Sequence, residues 1–163
     1  MVDELIDIHG ARKKVLFLCE DNSTRSQIAQ ALLNHIYGRD FEAYSAGLNP
    51  TYLDEHVIEV MNEIGIDMTN QRARSVDECI KKEIKFDVVA TLCECSRRNC
   101  PFIPANIHMH KEFVDPAEFA GEHDIMMMHY RRLRDQIREW VETTFGPKGS
   151  FSFYMSPSEK AHD

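Results

Sequence analysis

Val15–Cys19 (VLFLC) is apolar without a break, the pattern of a strand buried on both faces of a parallel sheet. Phe86–Cys93 (FDVVATLC) reads as a second buried strand, Phe41–Ala46 (FEAYSA) alternates like a third, and Asn106–His108 suits a short fourth. Between these runs the periodicity turns helical. Ser26–Ile36 lines up Ile28, Ala31, Leu32 and Ile36 on one face. Asp54–Ile64 turns Val57, Val60, Met61 and Ile64 inward and stops at Gly65. Ser75–Lys82 opens with a capping box, Ser75 followed three residues later by Glu78. His123–Phe145 is the longest helix, with Met126, Tyr130, Leu133, Ile137 and Val141 on one side. The order β-α-β-α-α-β-β-α predicts an α/β fold: one domain, a small, mostly parallel four-stranded sheet, and helices on both faces.

A chain of 163 residues is the size of one domain. Residues 1–11 read as an N-terminal arm, 12–146 as the domain and 147–163 as a C-terminal tail rich in Gly, Pro and Ser, whose FSFYM segment suits docking on the body. The net charge of −8 argues against nucleic acid or an anionic membrane as partner. No apolar run reaches the roughly 18 residues of a membrane span, and the acidic opening MVDELIDIHG is unlike a basic signal peptide. A cytoplasmic location is the expectation. The five cysteines (Cys19, Cys79, Cys93, Cys95 and Cys100) are an odd set, poor material for a disulfide framework, and three of them crowd into LCECSRRNC.

The chemistry concentrates in Cys19-Glu20-Asp21-Asn22-Ser23-Thr24-Arg25-Ser26, a C-x5-R-S loop between a buried strand and a helix. A tight loop there turns backbone N–H groups inward, and the helix N-terminus adds partial positive charge, so residues 20–26 are the expected oxyanion-binding set. Arg25 offers a planar fork of donors to two oxygens of a tetrahedral anion. The same field is expected to lower the Cys19 thiol, with Ser26 donating to the sulfur. Asn22 tolerates the left-handed backbone that a curled loop needs. Glu20 and Asp21 put two carboxylates beside the anion, which suits the site only if those side chains point outward. Cys19 and Cys93 both end predicted strands, at the sheet edge where α/β proteins bind ligands. Asp115, after the fourth strand and before Pro116, reaches the same edge and suits a general acid.

These residues bring a family resemblance. VLFLCEDNSTRSQIAQALL, YSAGLNP, VIEVMNEIGIDM and FVDPAE resemble the low-molecular-weight tyrosine phosphatase fold over roughly residues 14–145. TLCECSRRNCP narrows the likeness to thioredoxin-coupled arsenate reductases, because Cys93 and Cys100 stand at the spacing of that family's two redox cysteines. Phosphatases of the fold carry Asp-Pro-Tyr where this chain has Asp115-Pro116-Ala117, which favours a small inorganic anion over an aryl ester. The resemblance implies a thiol relay. Cys19 attacks arsenate held by the loop and Arg25, Asp115 acts as acid, Cys93 attacks Cys19 to release arsenite, and Cys100 attacks Cys93 to leave a disulfide for thioredoxin. It implies no cofactor. Where some members use a first-helix Glu for a cation, this chain has Gln30, so no bound potassium is expected.

Two other readings stay open. A phosphatase working through a Cys19 phosphoenzyme needs Arg25 and Asp115 but neither Cys93 nor Cys100. A redox or metal sensor would use Cys93, Cys95, Cys100, His108 and His110 in the pattern C-x-C-x4-C-x7-H-x-H, but its C-x-C is too tight for a usual zinc knuckle, and no metal is expected. Cys95 reads as a bystander and Cys79 as packing. Among Met126, Met127 and Met128 only one or two can face the core. Arg131, Arg132 and Arg134 read as a solvated face pairing with Asp135 and Glu139.

Overall fold

A computed structural model describes residues 11–149, without the side chains of Cys95 and Ser96. The expectations for the first ten residues, for the FSFYM segment and for the Cys95 thiol lie outside the described residues. Four strands, β1 (Lys13–Cys19), β2 (Phe41–Gly47), β3 (Phe86–Thr91) and β4 (Ala105–His110), form one sheet in the order β2-β1-β3-β4. Every pairing is parallel, so the sheet is wholly rather than mostly parallel. Among the described residues five α-helices accompany it: α1 (Arg25–Tyr37), α2 (Glu55–Asn62), α3 (Val76–Lys81), α4 (Glu94–Asn99) and α5 (His123–Phe145).

Strand alternation divides the core. Val15 and Phe17 of β1 face one way, with Ala43, Val88 and Ala90, into a cluster completed by Ile28, Leu32 and Leu33 of α1, Val60 and Met61 of α2, and Leu133, Ile137 and Val141 of α5. Leu16 and Leu18 face the other way, against Val76 and Cys79 of α3 and Ile103. The unbroken VLFLC run is thus explained, since both faces of β1 are covered. At the sheet's edge, β4 alternates half-buried Ile107 and Met109 with exposed Asn106, His108 and His110. Cys79 is buried, as expected of packing.

Several local expectations shift. β3 stops at Thr91, so Cys93 lies two residues beyond its strand rather than ending it. The polar stretch after Cys93 is helical, which the apolar pattern did not predict. Of the three consecutive methionines, Met127 faces the core and Met128 faces solvent. Arg134 pairs with Asp135 at 2.9 Å, as expected, but Arg131 and Arg134 also reach across to Glu63 at the end of α2, at 2.7 and 2.9 Å, rather than to Glu139. Arg134 is buried and also donates to the Val60 carbonyl. Among the described residues no helix is long and apolar enough to cross a membrane.

Candidate active site

β1 lies between β2 and β3, so the chain leaves the carboxyl end of its central strand beside the point where strand order reverses. There the Cys19–Ser26 loop curls into a cradle. Its outer surface is fastened by the segment after β2. The carbonyls of Cys19, Glu20, Asp21 and Ser23 accept from the amides of Leu48, Asn49, Thr51 and Asp54, at 3.3, 2.8, 3.0 and 3.1 Å. With these carbonyls turned outward, the concave side is left to loop amides other than that of Ser23, an arrangement that suits an anion. Thr24 makes no side-chain cap at the start of α1, so that helix brings uncapped N–H groups to the same point. Gly47 permits the close approach: a Cβ there would stand 2.8 Å from the Asn22 amide nitrogen and 2.9 Å from the Glu20 carbonyl oxygen.

Asn22 braces the curl from within. It is fully buried, has φ of 52°, and lies in the left-handed region expected from its residue type. Its Oδ1 accepts from the Arg74 amide at 2.8 Å and from Gln27 Nε2 at 3.1 Å. The Arg74 amide can only donate, so the other end of the Asn22 amide is the NH2, which donates to Ser26 Oγ at 2.8 Å. Ser26 is thereby left to donate its own proton to Cys19 Sγ, also at 2.8 Å.

The sulfur itself is wholly buried, and this overturns the expectation of a lowered thiol. Burial pushes the Cys19 thiol up; the Ser26 hydroxyl, the Ser26 amide and the Arg25 guanidinium pull it down, and Asp21 pushes it up again. Glu20 points away from the loop and accepts from Asn49 Nδ2 at 2.7 Å, whereas Asp21 stays on it: its carboxylate accepts from the Ser23 amide at 3.1 Å and is close enough to push the Cys19 thiol up.

The remaining candidates gather around this loop to different degrees. Arg25 is buried, with Nη2 3.9 Å from Oδ1 of Asp115. Asp115 is exposed and caps a short 3-10 turn (Pro116–Glu118) by accepting from the Ala117 amide at 2.9 Å. Its loop is fastened to the sheet by the Phe113 amide, which donates to the Leu92 carbonyl at 3.2 Å. The Leu92 amide in turn donates to the Leu18 carbonyl at 2.8 Å, so Leu92 stands opposite Cys19 at the end of β1 and Cys93 follows one residue past it. Cys93 is buried; Cys100, at the far end of α4, is half-buried against the second core cluster, where burial pushes its thiol up. Across α4 the two are seven residues apart, about 10 Å along a helix. His108 binds the Ile103 carbonyl and stacks on Phe102.

The site also holds residues that periodicity did not single out. Gln27 donates to Asn22 and to the Arg72 carbonyl. Asp54 donates its amide to Ser23, accepts from the His56 amide at 2.9 Å, and accepts from the hydroxyl of Tyr130, on which His56 stacks. An Asp before EHVIEV is a legible helix cap. Nothing in the sequence pairs it with Tyr130, 76 positions away.

With this geometry in view, a family model for low molecular weight phosphotyrosine protein phosphatase matches residues 14–144. An arsenate reductase of Oceanobacillus iheyensis is 34% identical over 133 residues, which is 81% of this chain and 94% of that protein. Among solved structures, one described as an arsenate reductase in the phosphate binding state superposes with a TM-score of 0.64 at 28% identity, over 80% of this chain and 94% of the other. A thioredoxin-dependent arsenate reductase of Corynebacterium glutamicum superposes with a TM-score of 0.58 at 26% identity, covering 86% and 69%.

Proposed function

Because the chain belongs to the low-molecular-weight phosphotyrosine protein phosphatase family, we propose that it turns that family's oxyanion cradle to the reduction of arsenate, with thioredoxin as electron donor. The observation that carries this reading is the backbone bond from Leu92 to Leu18, which brings a second buried thiol, Cys93, to the strand end occupied by Cys19. Ester hydrolysis through Cys19 has no use for that thiol. Reduction by two electrons does.

In the proposed reaction, the loop amides and the Arg25 fork hold arsenate against Cys19 Sγ. An arsenate dianion is a base, so the proton of a raised thiol has an acceptor on the substrate itself. The Cys19 thiolate forms a sulfur–arsenic bond, and one oxygen departs as water with a proton supplied by Asp115. The Cys93 thiolate then attacks the Cys19 sulfur. The sulfur–arsenic bond breaks with its electron pair left on arsenic, which leaves as arsenite, and a Cys19–Cys93 disulfide remains. Cys100 attacks Cys93, freeing Cys19 as thiolate and forming a Cys93–Cys100 disulfide for a thioredoxin dithiol to reduce. A disulfide requires Cα atoms within about 7 Å. Helix α4 therefore has to unwind for the last exchange, which also carries the disulfide outward. Thiols that must return to the reduced state suit a reducing compartment such as the cytoplasm.

The test needs no partner protein. Fully reduced protein mixed with about one equivalent of arsenate, without other reductant, should release near-stoichiometric arsenite and lose two thiols, and Cys93→Ser should release none. No arsenite with an unchanged thiol count overturns the reading.

A further inference from the structure

At the end of β4 lies a second group of ligating side chains that the proposed reaction leaves unused. Glu94 opens α4, His110 closes β4, and Glu112 follows two residues later. One ligand atom from each lies within 4.8 Å of the other two. His110 Nε2 is 3.8 Å from Glu94 Oε2. On the opposite side of the ring, Nδ1 meets the Thr91 hydroxyl at 2.8 Å, and that hydroxyl is directed at the Met109 carbonyl 3.5 Å away. The bond to Thr91 holds the ring by Nδ1 and turns Nε2 toward Glu94. An imidazole oriented through its other nitrogen is the arrangement that prepares a histidine for a metal.

We propose that Glu94, His110 and Glu112 form a site for a first-row divalent cation of the zinc class, which on binding pins the start of α4 to the end of β4. One imidazole and two carboxylates suit zinc, cobalt or manganese and leave a coordination position for water. Zinc-class bonds of about 2.0–2.2 Å set tetrahedral ligand atoms roughly 3.4 Å apart. Closing the triad to that size needs only rotation of side chains at the surface. Glu94 has to loosen its bonds to Arg97 and Arg98, at 3.3 and 2.8 Å, and exposed ion pairs of this kind contribute little. The site uses none of the cysteines as ligands. Its consequence for turnover rests on the reductase reading: with α4 pinned, Cys100 is kept from Cys93, so the cation slows the second disulfide exchange and spares arsenate capture at Cys19.

Titration of cobalt(II) alone into the reduced full-length chain, without oxygen, tests the site. One cobalt should bind per chain with weak visible bands and no intense near-ultraviolet thiolate band, and amide exchange over residues 94–99 should slow. Binding should weaken about tenfold or more in both His110→Ala and Glu112→Gln. No binding, unchanged affinity in the two variants, or a thiolate band that Cys93→Ser and Cys100→Ser remove would each overturn the site. These readouts concern binding and helix opening, so they stand or fall independently of arsenate reduction.

Discussion

Ser26 is held between an Asn22 amide that donates to it and a Cys19 sulfur that it faces at 2.8 Å, so its proton has one place to go. It pulls the thiol down against burial, and burial wins. The thiolate fraction of Cys19 should therefore climb about tenfold per pH unit through pH 7 and 8, without a plateau in that range. Mass-spectrometric measurement of Cys19 alkylation against pH checks this; a plateau below pH 8 would contradict it. The sign for stability follows. A thiol raised in the folded state contributes stability fully present below its unfolded pKa and lost as pH rises through the folded one. Ser26→Ala removes a lowering partner. A hydrogen bond to a charged group is worth about 1.5–3 kcal/mol, so the variant should alkylate roughly ten- to a hundredfold more slowly at a given pH.

Between residue and fold stand two elements that decide whether the loop works. β2 ends at Gly47, against which the curled loop rests with no room for a methyl group. The obstructing atoms are backbone, so a rotamer change gives no relief. Gly47→Ala should cost about 1–3 kcal/mol of stability, the range for overpacking a filled site. It should also weaken phosphate's protection of Cys19 from alkylation, because the amide donors move with the loop. Unfolding in denaturant and the protection assay report the two effects separately; a variant with unchanged protection would show that the loop tolerates the shift. The other element is α4. It lacks an apolar stripe, which is why hydrophobic periodicity missed it. Its signal was electrostatic: Glu94 leads, with Arg97 and Arg98 three and four residues on, and both pairs form. Such pairs are weak, and a helix of six residues held by them opens readily.

For the whole molecule, stability and the site share one support. Phe17, in the middle of β1, meets Trp140 and Phe145 edge-on, each with ring centroids 5.9 Å apart, and Phe113, two residues before Asp115, packs on the same tryptophan at 5.7 Å. The strand that delivers Cys19 and the loop that delivers Asp115 thus rest on one aromatic group. Phe17→Ala should cost about 3–5 kcal/mol, read as an earlier denaturant midpoint in the fluorescence of Trp140, the chain's one tryptophan. A loss below about 1 kcal/mol would mean that the cluster repacks.

What the sequence determined by itself is what depends on near neighbours. The apolar run of β1 required burial on two sides. The spacing of Cys19, Asn22, Arg25 and Ser26 required a curled loop opening a helix, and Asn22 adopts the left-handed backbone that its side chain tolerates. What only the tertiary structure decided depends on strand order and burial. β1 and β3 are neighbours, so Cys93 falls one residue past the position opposite Cys19; Glu63, at the end of α2, receives Arg131 and Arg134, the latter shared with its expected neighbour Asp135. The direction of the Cys19 shift belongs here too. A loop's donors and a helix end can be read from spacing, but desolvation is the sum of everything packed around an atom, and that sum exists only once the chain has folded.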